Sequence, residues 1–122
     1  MRKLRVLVVD DEDALRRAFR RVLEARGMEV VGEAANGAEA VEMAGYVDAD
    51  VVLTDLRMPV MDGIQVARAI SALDAPPKVI ILSAYADPSL QNEATEAGAS
   101  GWLLKGSPPR QLCSQVIELA GA

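Results

Sequence analysis

Val51-Val52-Leu53-Thr54-Asp55-Leu56-Arg57-Met58-Pro59-Val60-Met61-Asp62-Gly63 is a short apolar run that ends on a carboxylate and passes into a loop. The run is rich in β-branched residues and too short for a helix, so it reads as a strand buried on both faces. The pattern recurs. Leu4–Val9 ends on Asp10-Asp11, Val79–Leu82 ends on Ser83, and Trp102-Leu103-Leu104 ends on Lys105. If these runs are neighbouring parallel strands, three carboxylates, a hydroxyl and an ammonium meet at one sheet edge.

The intervening segments carry helical spacing. Leu15, Ala18, Phe19, Val22 and Leu23 follow the first run with arginines between them. Asp11 or Asp13 is positioned to cap that helix, and Gly27 to end it. Met28–Ala34 reads as a second strand, weakened by Gly32 and Glu33, which suits an edge. Asn36-Gly37-Ala38-Glu39 has the form of a capping box, and Ala40, Val41 and Ala44 face inward from the helix it opens. Gly63–Leu73 is a helix stopped before Pro76-Pro77, and Asp87-Pro88 opens another that Gly98 ends. Gly101–Leu104 is the fifth strand. Ser107-Pro108 starts a last helix with apolar Leu112, Val116, Ile117 and Leu119.

Strand and helix thus alternate five times, which predicts an α/β fold: a five-stranded, doubly wound parallel sheet with helices on both faces. Ligands of such sheets bind at the carboxyl ends of the strands, beside the topological switch point. Strands one, three, four and five place reactive residues there, and strand two places none.

The 122 residues fit one domain, 1–122, and half of them are apolar. With one Phe, one Trp and two Tyr, the core must be aliphatic. A net charge of −5 argues against unaided nucleic-acid binding, which needs a basic face. Arg16-Arg17 with Arg20-Arg21 is the local exception and reads as a solvated helix face. Cys113 is the single cysteine, so no internal disulfide forms and a reducing compartment is expected. Met1-Arg2-Lys3 precedes an apolar run too short for a signal peptide, and no segment is long enough to span a membrane. The expected location is cytoplasmic, with no membrane partner.

Taken singly, each polar strand-end residue has a bland reading: a cap for Asp10, Asp11 or Asp55, a satisfied backbone group for Ser83, a solvated charge for Lys105. Their joint placement points to chemistry. Three clustered carboxylates disfavour one another's ionisation, and a cation offsets that. Mg²⁺ takes hard oxygen ligands in octahedral geometry. Asp11, Asp55 and a backbone carbonyl in the loop after Asp55 could supply three of them. A phosphoryl oxygen would then meet the metal, Lys105 and Ser83, the clamp that in-line phosphoryl transfer requires. Asp55 would be the nucleophile.

These residues resemble the receiver domain of bacterial two-component response regulators across essentially the whole chain. The likeness rests on Asp10-Asp11, on Asp55 to Gly63 with Met58-Pro59 and Asp62-Gly63, on Ser83-Ala84, and on Lys105 after Trp102-Leu103-Leu104. The resemblance implies a flavodoxin-like sheet of order 2-1-3-4-5. It implies that Asp55 accepts a phosphoryl group from a sensor histidine kinase, that Asp10, Asp11, Asp55 and the Arg57 carbonyl hold Mg²⁺, and that Ser83 and Lys105 bind the phosphoryl group, with small Ala84 leaving room. Ser83 and Trp102 form the switch; Trp102 stands where the family usually keeps Tyr or Phe. Arg57 and Tyr85, two residues after Asp55 and Ser83, are positioned to tune hydrolysis. Many relatives follow the lysine with a cis proline; Gly106 here implies a trans bond.

Gly101 to Pro109 and Val31-Gly32-Glu33-Ala34-Ala35-Asn36-Gly37 are similar to receivers of NarL/LuxR-type transcriptional regulators. That subclass implies a helix-turn-helix DNA-binding output beyond residue 122. A homodimer on phosphorylation is expected if the last helix exposes some of Leu112, Val116 and Leu119, residues whose spacing suits core packing better. The function expected is therefore a phosphorylation-activated switch with self-catalysed phosphotransfer and slow autodephosphorylation, not an enzyme. The alternative is a Mg²⁺-dependent phosphatase with an aspartyl nucleophile. It would want a second Asp two residues after the nucleophile, where Arg57 stands. A nucleotide- or flavin-binding module is disfavoured because Asp10-Asp11-Glu12-Asp13 would repel a phosphate.

Overall fold

The computed structural model describes residues 2–121; Met1 and Ala122, the two ends of the expected domain, lie outside them. The elements are β1 (Arg5–Val9), α1 (Asp13–Ala25), β2 (Glu29–Ala34), α2 (Gly37–Ala44), β3 (Val51–Asp55), α3 (Gly63–Ser71), β4 (Lys78–Ser83), α4 (Pro88–Glu96), β5 (Gly101–Leu104) and α5 (Pro109–Gly121). The five strands are all parallel, in the order β2-β1-β3-β4-β5. The chain reverses its winding between β2 and β3, so the switch point falls between β1 and β3.

Alternation along the buried strands builds two cores. Val6, Val8, Val51, Leu53, Ile80 and Leu82 face α1 and α5, where Leu23, Leu112, Cys113 and Val116 meet them. Leu7, Val9, Val52, Val79 and Ile81 face α2, α3 and α4, where Ala40, Val66, Ile70 and Ala94 meet them. Every residue of β3 is buried, as a central parallel strand covered on both faces must be. β2 is an edge strand as its composition suggests, and its pairing with β1 slips between Val6 and Leu7, where Gly32 rather than Val31 opposes Leu7.

Most helix starts follow the sequence signals. The Asn36 side chain accepts from the Glu39 N–H at 2.8 Å, and Glu39 reaches back to the Ala35 N–H. Asp87 caps α4 with Pro88 at its first position, and Gly27 and Gly98 end α1 and α4 with φ of +85° and +107°. α3 opens with a full capping box, Asp62 with Gln65, a D-x-x-Q signal that was there to be read.

Four expectations need correction. Neither Asp11 nor Asp13 caps α1; its cap is Glu12, with no side-chain hydrogen bond. Asp13 instead accepts from Arg16 at 2.7 Å, a pairing three residues apart that a helix surface favours. α3 ends at Ser71, because the Ser71 hydroxyl turns back to the Ala67 carbonyl and bridges to Ala97 of the next helix end. In α5 Leu112 and Val116 are core, whereas Ile117 faces outward. The four-arginine cluster is not one solvated face. Arg17 and Arg21 are exposed, but Arg16 is tied down by three groups.

The peptide bond after Lys105 is trans, and none among the described residues is cis. No described helix is long and apolar enough to cross a membrane.

Candidate functional site

β1, β3, β4 and β5 end side by side, and their last residues form the site. Asp10 follows β1, Asp55 ends β3, Ser83 ends β4 and Lys105 follows β5. Register sets the alignment: Thr54 pairs with Val9, Asp55 with Leu82, and Ser83 with Leu104. The Lys105 N–H donates to the Ser83 carbonyl at 2.9 Å, and the Leu56 N–H to the Leu82 carbonyl at 2.9 Å, so the ladder carries the chain to the rim.

Asp10, Asp11 and Asp55 each direct one carboxylate oxygen into a region where the three oxygens lie within 4.8 Å of one another. Asp10 is 1 % exposed and Asp55 7 %, while Asp11 is open to solvent. Lys105 Nζ stands 2.9 Å from Asp55 Oδ1 and 3.7 Å from Asp10 Oδ2. Burial works against the lysine charge. The Asp55 hydrogen bond and the fields of Asp55, Asp10 and Glu12 together outweigh it, so the Lys105 pKa lies above its ordinary value.

Asp10 is pushed the other way from a usual carboxylate. Burial raises its pKa most, the Glu12 N–H donating to Oδ1 at 2.9 Å lowers it, and Asp55 and Asp11 raise it further. Its Oδ2 is buried without a hydrogen-bond partner. A buried, unsatisfied carboxylate oxygen beside two more carboxylates is poorly stabilised by the protein alone. A hard divalent cation would satisfy it, so the donor set fits Mg²⁺.

The loop from β3 to α3 is pulled tight against Asp55. The Gly63 N–H donates to the Leu56 carbonyl at 2.8 Å, and a Cβ on Gly63 would lie 2.6 Å from the Asp55 carbonyl oxygen. Farther along, the Met61 N–H donates to the Pro59 carbonyl at 2.8 Å around Val60, whose φ is +69°. That is a γ-turn centred on a β-branched residue in the left-handed region, a strained conformation of the kind found beside functional sites. The Val60 side chain is fully exposed, so the strain lies against its own backbone and not in tertiary packing.

Asp11, Asp55, Arg57, Ser83, Ala84, Tyr85 and Lys105 line one shared recess. Arg57 and Tyr85 are exposed at its rim. Trp102 is not part of the lining. It is linked to it through Tyr85: the Trp102 Nε1–H donates to the Tyr85 carbonyl at 3.2 Å, and the Tyr85 N–H donates to Ser83 Oγ at 3.2 Å. The peptide groups of Tyr85 therefore join the site hydroxyl to the indole.

Sequence reasoning missed three participants. Thr54 is fully buried and its hydroxyl donates to the Asp55 carbonyl at 3.0 Å; a polar residue inside an apolar strand was the available signal. Gly63 is a close-approach position, which its place in the Asp62-Gly63 pair does not by itself indicate. Arg16 Nη1 donates to the Asp10 carbonyl at 2.8 Å, which no local pattern indicates.

Comparison with known proteins agrees with this geometry. The family model for the response regulator receiver domain matches residues 6–117. The transcriptional regulatory protein NarL of Mycobacterium tuberculosis is 40 % identical over 119 residues, 97 % of this chain and 55 % of that protein. The response regulator UvrY of Escherichia coli is 38 % identical over 114 residues, 93 % of this chain and 52 % of that protein. The chain thus spans about half the length of the curated relatives it matches. Among solved structures, the signal receiver domain of the M. tuberculosis response regulator NarL superposes with a TM-score of 0.94 at 38 % identity, covering 100 % of this chain and 99 % of that one. A LuxR-family response regulator from Aurantimonas sp. gives 0.89 at 37 % identity, over 98 % and 86 % of the two chains. With a matched family model spanning nearly its whole length, a shared strand order and relatives of the NarL type, the chain belongs to the response regulator receiver domains and is a phosphorylation-switch module.

Proposed function

We propose that residues 1–122 act as one receiver domain in which Asp55 is the phosphoacceptor. The carrying observation is the position of Lys105, whose ammonium lies between the Asp55 and Asp10 carboxylates with Asp11 completing a three-carboxylate cluster. An Asp55 carboxylate oxygen attacks phosphorus of a phosphohistidine on a sensor kinase. The P–O bond to Asp55 forms as the P–N bond breaks, and the electron pair leaves on the imidazole. Lys105 Nζ and Ser83 Oγ hold the transferred group's oxygens, and Ala84 leaves space beside them. Asp10, Asp11, Asp55 and the Arg57 carbonyl would hold Mg²⁺, whose charge offsets that of the carboxylates and phosphoryl oxygens.

Arg57 and Tyr85 stand at the mouth of the recess and shield the acyl phosphate from water, prolonging the phosphorylated state. The module performs only its own phosphotransfer and slow dephosphorylation. The phosphatase alternative has no observation in its favour, since Arg57 offers no carboxylate where that chemistry needs an acid. When Ser83 turns to the phosphoryl group it releases the Tyr85 N–H, and Trp102, bonded to the carbonyl of the same residue, is freed to repack. The rearranged α4, β5 and α5 surface is read by a second receiver, as a homodimer, or by a helix-turn-helix DNA-binding output in the full protein. The setting is the cytoplasm, and the receiver by itself binds neither nucleic acid nor membrane.

The test is incubation with Mg²⁺ and acetyl phosphate followed by intact-mass measurement. One phosphoryl adduct is expected, lost in Asp55→Asn and suppressed by EDTA. An adduct that persists in Asp55→Asn refutes the assignment.

A further inference from the structure

Arg16 uses all three of its guanidinium nitrogens on three different groups. Nη1 donates to the Asp10 carbonyl at 2.8 Å, Nη2 to Asp13 Oδ1 at 2.7 Å, and Nε to Glu33 Oε1 at 3.0 Å. Its side chain is 12 % exposed, unusual for an arginine on an outer helix. Glu33 is itself braced, because Arg20 Nη1 donates to its second oxygen at 2.8 Å. Glu33 sits on β2 opposite Val8 of β1, so the strand that puts nothing into the site sends a carboxylate to the helix beside it.

The Asp10 carbonyl lies where the sheet ladder stops. The last β1 residue paired with β3 is Val9, opposite Thr54. The Asp10 N–H is still held, donating to the Ala34 carbonyl at 3.1 Å. Its carbonyl belongs to the peptide plane that joins Asp10 to Asp11. Holding that plane restricts ψ of Asp10 and φ of Asp11, and so the directions in which both side chains leave the backbone, and the Glu12 N–H bond to Asp10 Oδ1 belongs to the same turn.

We propose that Arg16, seated by Glu33 and Arg20, is a positioning residue that holds the Asp10–Asp13 turn in its cation-binding shape. The role is geometric. The Arg16 charge is met by Asp13 and Glu33, two carboxylates within 3.0 Å, so little of it reaches the cluster. A planar fork with fixed donors can serve three acceptors at once, and a lysine ammonium on a flexible stem does so poorly. The inference rests on the reading of Asp10 and Asp11 as Mg²⁺ ligands.

The experiment is a Mg²⁺ titration followed by the fluorescence of Trp102, on wild type, Arg16→Lys, Glu33→Gln and Arg17→Ala, with thermal melting of each in EDTA. Outer-shell partners of metal ligands typically contribute 10- to 100-fold in affinity. Arg16→Lys keeps the charge and is expected to weaken Mg²⁺ by about tenfold, with Glu33→Gln weakening it less and Arg17→Ala leaving it unchanged. Amide NMR spectra of the metal-free proteins provide the independent readout: Arg16→Lys should move the Asp11 and Glu12 resonances and leave those around Ser83 and Lys105 in place. Wild-type affinity in both Arg16→Lys and Glu33→Gln, or unmoved Asp11 and Glu12 resonances, overturns the proposal. So does loss of affinity that merely tracks melting temperature across the set. If wild type takes up no Mg²⁺, the metal reading fails, and the turn resonances still decide whether Arg16 shapes the turn.

Discussion

Gly63→Ala tests whether the backbone of Asp55 is held by steric fit. The added Cβ would lie 2.6 Å from the Asp55 carbonyl oxygen, 3.1 Å from Leu56 Cα and 3.3 Å from the Asp55 carbonyl carbon. All three are main-chain atoms, so no rotamer relieves the contact. Gly63 is not in the left-handed region, so the cost is steric and not conformational. An ordinary contact begins near 3.4 Å, and the difference, 3.4 − 2.6 = 0.8 Å, is the movement required of β3 or α3. β3 is held on both sides by β1 and β4, which leaves it little freedom. Overpacking of this kind costs about 1–3 kcal/mol, less up to ~1 kcal/mol for alanine's better helix propensity. The net loss is then about 0–3 kcal/mol, centred on ~1.5 kcal/mol, and in a domain this size each ~1 kcal/mol lowers Tm by roughly 4 °C. Gly106→Ala is the control: no atom lies within 4 Å of its Cβ and its φ is ordinary, so it should gain about 0.4–1 kcal/mol through the unfolded state. Thermal and urea melts in EDTA measure both. Phosphorylation by acetyl phosphate should also slow by tenfold or more in Gly63→Ala, because a displacement approaching 1 Å at a reacting group costs up to about 100-fold. Wild-type stability together with a wild-type labelling rate in Gly63→Ala would refute the reasoning.

Asp11→Ala should weaken Mg²⁺ more than Asp10→Ala, since Asp11 is the solvent-facing carboxylate and Asp10 is buried behind it; Trp102 fluorescence reads both titrations, and equal affinities in wild type and Asp11→Ala would count against this site. Asp10→Asn should raise metal-free stability by about 1–3 kcal/mol, because it removes a buried charge that repels Asp55 and Asp11 and has no hydrogen bond at Oδ2, while Lys105 keeps its shorter pair with Asp55; urea melts in EDTA check it, and destabilisation argues otherwise. Arg57→Ala and Tyr85→Ala should each speed the decay of phosphoprotein, measured by intact mass over time; unchanged or slower decay in both removes the shielding role. Hydrogen bonding from Arg20, aided by Arg16 and opposed by burial, holds the Glu33 pKa below its ordinary 4.5. Its contribution is then present above pH 4.5 and lost as pH falls through the depressed value. Glu33→Gln should therefore cost roughly 1 kcal/mol at neutral pH, with the gap from wild type closing in acid; a gap that stays constant down to acid unfolding excludes the ion pairs as its source.

The fold was legible because its signals are local. Val51 to Asp55, with its β-branched run and polar end, is recognisable within five residues, and Asp87-Pro88 and Asn36 to Glu39 mark helix starts within four. A parallel sheet turns these local marks into a site without further information, because all strand ends of one polarity lie at one edge. Asp10, Asp55, Ser83 and Lys105 could be brought together on paper for that reason. Element ends were less legible where a tertiary bond decides them, as Ser71 shows by bonding to Ala97, 26 residues away.

The arginine cluster shows the remaining limit. Within α1, spacing says that Arg16 and Arg20 share one face and that Arg17 and Arg21 share another. It gives no means of choosing which pair is solvated. The choice is made by Glu33, 17 residues from Arg16 in sequence, on a strand whose composition already marked it as irregular. A charge inside an edge strand reads as weak strand propensity. It can equally be the far end of an ion pair, and the two readings separate only when the helix that follows the neighbouring strand is seen to cross it. Arg16 then changes meaning, from a solvated charge to the residue that holds the carbonyl of Asp10. Asp10, Asp55, Ser83 and Lys105, which the strand ends bring together, were readable from chain order. The contacts Arg16 makes beside them were not, because they depend on a long-range pairing between residue types that are common everywhere on a protein surface.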